Sequence, residues 1–98
     1  MVQKKFRLSA KVSSNNPSAV KPVLDRAFKD KGTVKEVAQG LEIDAELEGE
    51  SAVTLNRTLL SELRRAEKKT RMRSQWTSGN ITEKFFDYVL KATFNTVD

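Results

Sequence analysis

Between Lys5 and Ser13 apolar and polar residues alternate, with Phe6, Leu8, Ala10 and Val12 in one set and Arg7, Ser9, Lys11 and Ser13 in the other. A period of two over this length predicts a half-buried strand. Ser14, Asn15, Asn16 and Pro17 punctuate it as a turn, and Ser18 is the candidate N-cap of a helix. Val20, Val23, Leu24, Ala27 and Phe28 give that helix its apolar face, and Gly32 is its natural stop. Pro22 then falls at the fourth helical position, where a missing N–H costs less than in mid-helix. From Thr33 to Gln39 the apolar residues Val34, Val37 and Ala38 do not alternate cleanly, which predicts a strand that is bulged or lies at an edge. After Gly40 the alternation is regular: Leu41, Ile43, Ala45 and Leu47 against Glu42, Asp44, Glu46 and Glu48. One face of this strand is apolar and the other wholly anionic.

From Ser51 to Arg73 the period changes to that of a helix. Ala52, Leu55, Leu59, Leu63 and Ala66 fall on one side, with Arg57, Arg64, Lys68 and Arg71 opposite and Arg65, Lys69 and Arg73 on the flank. Ser51 is the candidate N-cap, acids precede the segment and bases crowd its end, in agreement with the helix dipole. The pattern lapses around residues 72–79, so Trp76 is assigned to a connection. Asn80 and Glu83 resemble a capping box, predicting a last helix to about residue 95 with Ile81, Phe85, Val89 and Ala92 inside. The expected fold is therefore an α+β two-layer sandwich, a three-stranded mixed sheet with helices on one face, in the order β-α-β-β-α-α. The strands joined through the first helix are expected to pair in parallel. Four carboxylates on one strand face repel unless cations stand opposite, so the acidic strand is expected beside Lys5, Arg7 and Lys11 of the first strand, in the middle of the three.

Composition narrows the function. The 98 residues fit one domain, 1–98. With no cysteine and no histidine, Cys/His zinc sites, thiol chemistry and Ser-His-Asp or Cys-His catalysis are excluded in this chain. There is no apolar N-terminal segment and no run of apolar residues long enough for a membrane, so a cytoplasmic protein without a membrane partner is expected. The net charge is +5 and the isoelectric point about 9.7, yet residues 41–50 hold five acids and no base. Such a chain can attract nucleic acid and still pair its own charges.

The candidate chemistry is recognition. Arg57, Arg64, Arg65, Lys68, Lys69, Arg71 and Arg73 suit phosphates, unless they are an ordinary solvated face. Trp76 suits stacking on an unpaired base, unless it packs in the core. Asp44 and Glu46 have the spacing to hold a magnesium ion, but facing Lys and Arg explains that spacing equally, so no metal is assigned. The four glycines are dispersed, no phosphate-cradling loop is present, and no cofactor, small-molecule substrate or catalytic residue is assigned.

The acidic strand LEIDAELEGES leading into the central helix, the pattern Leu55, Thr58, Ser61, Leu63, Arg64 and the order of elements over residues 4–70 resemble the smallest core subunit of the KEOPS (EKC) complex. That archaeal and eukaryotic assembly installs threonylcarbamoyl on adenosine in transfer RNA. The resemblance implies a noncatalytic, dimerising subunit whose Leu55, Thr58, Ser61 and Arg64 lie on or near a partner-binding helix. The final helix and the irregular strand at 33–39 depart from the family's pattern. Two functions are carried forward: a noncatalytic assembly subunit, of a transfer-RNA-modification complex, with a protein partner or a second copy; and a stand-alone basic domain that binds nucleic acid, RNA before DNA.

Overall fold

A computed structural model describes residues 4–28, 30–38 and 40–95. In chain order these form β1 (Lys4–Ser13), α1 (Pro17–Ala27), β2 (Gly32–Val37), β3 (Gly40–Gly49), α2 (Ala52–Ala66), β4 (Arg71–Ser78), β5 (Ile81–Phe86) and β6 (Val89–Asn95). All six strands make one sheet, ordered β2-β3-β1-β4-β5-β6, and every neighbouring pair is antiparallel. This replaces the expected three-stranded mixed sheet and the order β-α-β-β-α-α. β1 and β2 do run in the same direction, as a helical crossover requires, but β3 is inserted between them. β3 and β4 are split by β1 in the same way. This double split β-α-β is the ferredoxin-like arrangement, here extended at β4 by the β5–β6 hairpin.

The insertion of β3 agrees with the charges. Lys5 stands opposite Glu48, Arg7 opposite Glu46 and Lys11 opposite Glu42, and β3 lies between β2 and β1, so the acidic strand is beside the basic one as its repulsion demands. β2 takes the edge position with a regular register against β3; Gln39, the end of that predicted strand, lies outside the described residues. Gly32, expected to stop α1, instead opens β2, where a β-carbon would collide with the backbone of Asp44 and Ala45.

Asn16, not Ser18, is the N-cap of α1, because Pro17 with its preset φ fits the first helical position. Pro22 is consequently the sixth helical residue rather than the fourth, and it lies on the exposed side. Lys21 Nζ donates to Asp25 Oδ2 one turn on, 2.9 Å away, and this hydrogen bond raises the lysine pKa. The helix ends at Ala27, where the Phe28 N–H reaches the Leu24 carbonyl at 2.9 Å.

Ser51 caps α2 as expected, its Oγ accepting from the Thr54 N–H at 3.1 Å. The rod over Ser51–Arg73, however, stops at Ala66, and Glu67 is already extended at φ −150°, ψ 112°. The cause lies in the next residues: Met72, Ser74 and Trp76 alternate with Arg71, Arg73 and Gln75 and pair with Val12, Ala10 and Leu8 of β1. As part of β4, Met72 and Trp76 enter the core, where both are 0% exposed. Burying them each stabilises by roughly 1.5–3 kcal/mol, more than the helical hydrogen bonds they forgo contribute net. Within α2 the buried face is Ala52, Asn56, Leu59, Leu60 and Leu63; Leu55 is half-buried and Ala66 exposed, so the apolar stripe is rotated from the expected one.

The helix expected over 80–95 is the β5–β6 hairpin. Gly79, at φ +61°, turns β4 into β5, and Asp87 with Tyr88 turns β5 into β6. Ile81, Thr82, Phe85, Phe86, Tyr88 and Val89 are strong strand formers, and the free edge of β4 supplies a ladder that the capping-box pattern at Asn80 and Glu83 does not outweigh. A bulge leaves Lys91 as the extra residue, since Lys84 faces Ala92 while Phe85 faces Leu90. Both helices cover one face of the sheet, closing a core of Leu8, Val20, Leu24, Leu60, Leu63, Met72 and Trp76.

Candidate nucleic-acid interface

The sheet face away from the helices is open, and cross-strand pairing aligns its side chains in rows. One row runs Glu42, Lys11, Arg73, Phe86; the next Asp44, Ser9, Gln75, Lys84, Ala92; the third Glu46, Arg7, Thr77, Thr82, Phe94. Each row crosses from carboxylates on β3 to aromatic or aliphatic groups on β5 and β6. On β3 and β1 the charges are matched internally: Arg7 Nη2 lies 3.3 Å from Asp44 Oδ2 and Lys11 Nζ 3.9 Å from Glu42 Oε2. Asp44 is thus occupied by a guanidinium, in line with the nonmetal reading of the Asp44 and Glu46 spacing.

On β4, β5 and β6 the cations face rings instead. The guanidinium carbons of Arg71 and Arg73 lie 5.0 and 5.1 Å from the Phe86 centroid, and Lys84 Nζ lies 5.1 Å from that of Phe94. All three distances fall within cation–π range. Among the described residues Arg73 and Lys84 make no ion pair. A groove of about 590 Å³ passes over Lys11, Arg71, Arg73 and Phe86. Cations at strand spacing beside the half-buried Phe86 ring and the exposed Phe94 ring form a surface that can neutralise phosphates and stack bases at the same time.

The predicted cationic helix face does not exist as one surface. Arg57 is exposed on α2, Arg65 pairs with Glu62 at 3.7 Å on the same helix, and Lys68 and Lys69 occupy the turn beyond it, all in the helical layer. Arg71 and Arg73 belong to the opposite, open side of the sheet. Arg64 points into the molecule: its Nε donates to the Thr70 carbonyl at 2.9 Å, its Nη2 lies 3.6 Å from Asp87 Oδ1, and its guanidinium covers the Tyr88 ring at 5.1 Å. Asp87 is what draws it in. This residue, at φ 54°, accepts the Met72 N–H at 2.9 Å, pairs with Arg71 at 3.3 Å, and through its carbonyl takes the Asn56 amide at 2.7 Å. The hairpin turn is thereby fastened to both β4 and α2.

Trp76 does not stack on a ligand. It is 0% exposed, meets Phe6 edge to face at 6.3 Å between centroids, and donates its Nε1–H to Asn56 Oδ1 at 3.1 Å. Asn56 is a polar residue in the buried face of α2, and Trp76 with Ser74 satisfies it. Of the partner-helix residues implied by the family resemblance, Ser61 bonds the Tyr88 hydroxyl at 3.2 Å and Arg64 serves the hairpin, whereas Leu55 and Thr58 line a cleft of about 390 Å³ between α1 and α2, with Val23, Phe28 and Leu47.

Lys84 and Lys11 were not among the candidate contacts read from the sequence, and Phe86 and Phe94, with Tyr88, were read as helix residues that could face a partner but that core packing explained better. The signal that finds them is the short alternation Arg71-Met72-Arg73-Ser74-Gln75-Trp76, a strand pattern inside what looks like a helix tail. Once β4 is a strand, Arg71 and Arg73 share a face and the next segment becomes its hairpin partner. Among the described residues no helix is long and apolar enough to cross a membrane. No protein-family model, curated protein or solved structure matches the chain. The functional reading therefore rests on the residues themselves.

Proposed function

We propose that the protein is a noncatalytic, cytoplasmic RNA-binding domain that lays a single-stranded segment across β4, β5 and β6. The observation that carries this reading is the grouping of Arg71 and Arg73 about Phe86 and of Lys84 about Phe94 on an uncovered sheet face. Unpaired bases offer π faces to rings and guanidinium planes, which a duplex keeps stacked inside. RNA is preferred to DNA because single-stranded, unstacked bases are what sequence-specific RNA recognition mostly targets.

Fluorescence anisotropy with a short labelled oligouridylate tests the reading. Binding is expected to weaken with salt, with a log–log slope of about −0.7 per phosphate neutralised. Joint replacement of Arg73 by Ser and Phe86 by Ala is expected to abolish most of the affinity, while serine at Arg57, Arg65, Lys68 and Lys69 leaves it nearly unchanged. Loss of binding with the helical set alone, or no binding by the native chain, overturns the proposal.

The assembly-subunit reading keeps one observation in its favour. The cleft between α1 and α2 is largely apolar, with Arg26 and Glu62 also lining it, and contains Leu55 and Thr58, two of the residues that the KEOPS-like resemblance assigns to partner binding. A protein partner would seat an apolar helix there. Affinity capture from native cells with and without Leu55→Glu checks it: a partner lost with the variant supports the reading, and a partner retained removes it.

A further inference from the structure

Among the described residues the edge strands of the sheet are β2 and β6, and they differ. β2 is short and carries Lys35 and Glu36, both exposed, the kind of charged edge that resists pairing with another chain. β6 carries Lys91 as its single charge, has no proline, and exposes Val89 (55%), Leu90 (44%) and Phe94 (46%). Ile81 and Tyr88 of the same hairpin are also exposed; among the described residues the other exposed large hydrophobics are Val37 and Val53. A row of unpaired backbone groups flanked by apolar side chains calls for another strand.

We infer that a second copy of this chain supplies it, through antiparallel pairing of β6 with β6 about a two-fold axis at Thr93. The segment is self-complementary in that register. Beyond the bulge at Lys91 the strand is regular, so Phe94 of one copy meets Ala92 of the other, large against small, on the open face. Thr93 meets Thr93, a favourable cross-strand pair, and the bulged Lys91 of each copy lies at the end of the paired stretch, away from its own like charge. An isologous pair of this kind closes on itself, leaving only the charged β2 edges outermost in a continuous sheet of two copies. Because the axis stands perpendicular to the sheet, the open faces bearing Phe86 and Phe94 merge on one side. A ladder this short falls below the roughly 1,200 Å² of a standard interface, so the dimer is a weak, reversible one. The pairing stands without the RNA reading, since it needs no ligand.

Sedimentation equilibrium on nuclease-treated protein tests it, together with a single introduced thiol. The chain has no cysteine, so Thr93→Cys gives one thiol per copy, and opposed Cα atoms at roughly 4.5–5.5 Å lie within disulfide reach. The expected results are a mass that doubles with concentration, a reducible covalent dimer from Thr93→Cys and none from Lys35→Cys, and at least tenfold weaker association in Thr93→Lys, where two ammonium groups would oppose. A native chain that stays monomeric throughout, or a dimer that Thr93→Lys leaves intact and that cross-links only through Lys35→Cys, overturns the inference. Neither result touches the anisotropy experiment, which reads RNA binding alone.

Discussion

β1 and β4 are neighbours in the sheet, paired from Arg7 opposite Thr77 to Ser13 opposite Arg71, and both turn basic side chains to the open face. Across from β1 stands the carboxylate row of β3; across from β4 stand Phe86 and Lys84 of β5. On the first side Arg7 is engaged by Asp44, whereas on the second Arg73 rests against a ring that leaves its charge unneutralised. A cation's availability to a phosphate is thus decided by the strand beside it. Net charge alone gives no such information, since every cation counts in it equally whatever stands beside it.

The comparison can be broken most severely from beneath. Trp76 supports the β4 half from the core, and Trp76→Ala is expected to cost about 4 kcal/mol, enough to unfold a domain of this size in mild denaturant, as urea melts followed by circular dichroism would show. Asn56→Ala removes the hydrogen bond that its amide N–H donates to the Asp87 carbonyl and the acceptor for Ser74 and Trp76. A loss of about 2–3 kcal/mol is expected in the same melts, the cost of buried polar groups left without partners. Were the variant as stable as the native chain, the hairpin would not depend on α2.

Functional effects come next. Phe86→Ala is expected to weaken oligouridylate binding by roughly tenfold to a hundredfold, the 1–3 kcal/mol of one stacked base, with the fold intact because Phe86 is only half-buried. The paired half should be nearly silent: Asp44→Asn is expected to change stability by about 0.5 kcal/mol or less, since its partner Arg7 is well exposed and screened. A large stability loss there would mean that the ion pairs, rather than the core beneath them, hold β3 against β1.

How much could be read from residues alone follows the same division. β1 and β3 alternate strictly over long runs, and their charges are complementary, so both the strands and their adjacency were legible. The Ser51 cap was legible too, because a capping hydroxyl acts within one turn of chain. From Ala66 onward local signals conflict. Residues 64–73 have helix-forming bases and residues 80–83 a capping pattern, and neither shows that β1 has a free edge waiting. Tertiary pairing with that edge converts 71–95 into three strands, and with it moves Arg71 and Arg73 from a supposed helix face to the far side of the sheet. Arg64 could not be assigned either, since its partner Asp87 is distant in sequence and meets it only when the hairpin folds back.

What this sequence determines by itself is periodicity and charge order: where strands alternate, where α2 begins, and that an acidic strand must find a basic one. Those are properties of residues a few positions apart, fixed by side-chain spacing and short-range Coulomb repulsion. Only the tertiary structure decided which cations are spent and which remain free. That outcome depends on whether a carboxylate or an aromatic ring arrives opposite each of them, and the arrival is set by strand order and register across the whole sheet.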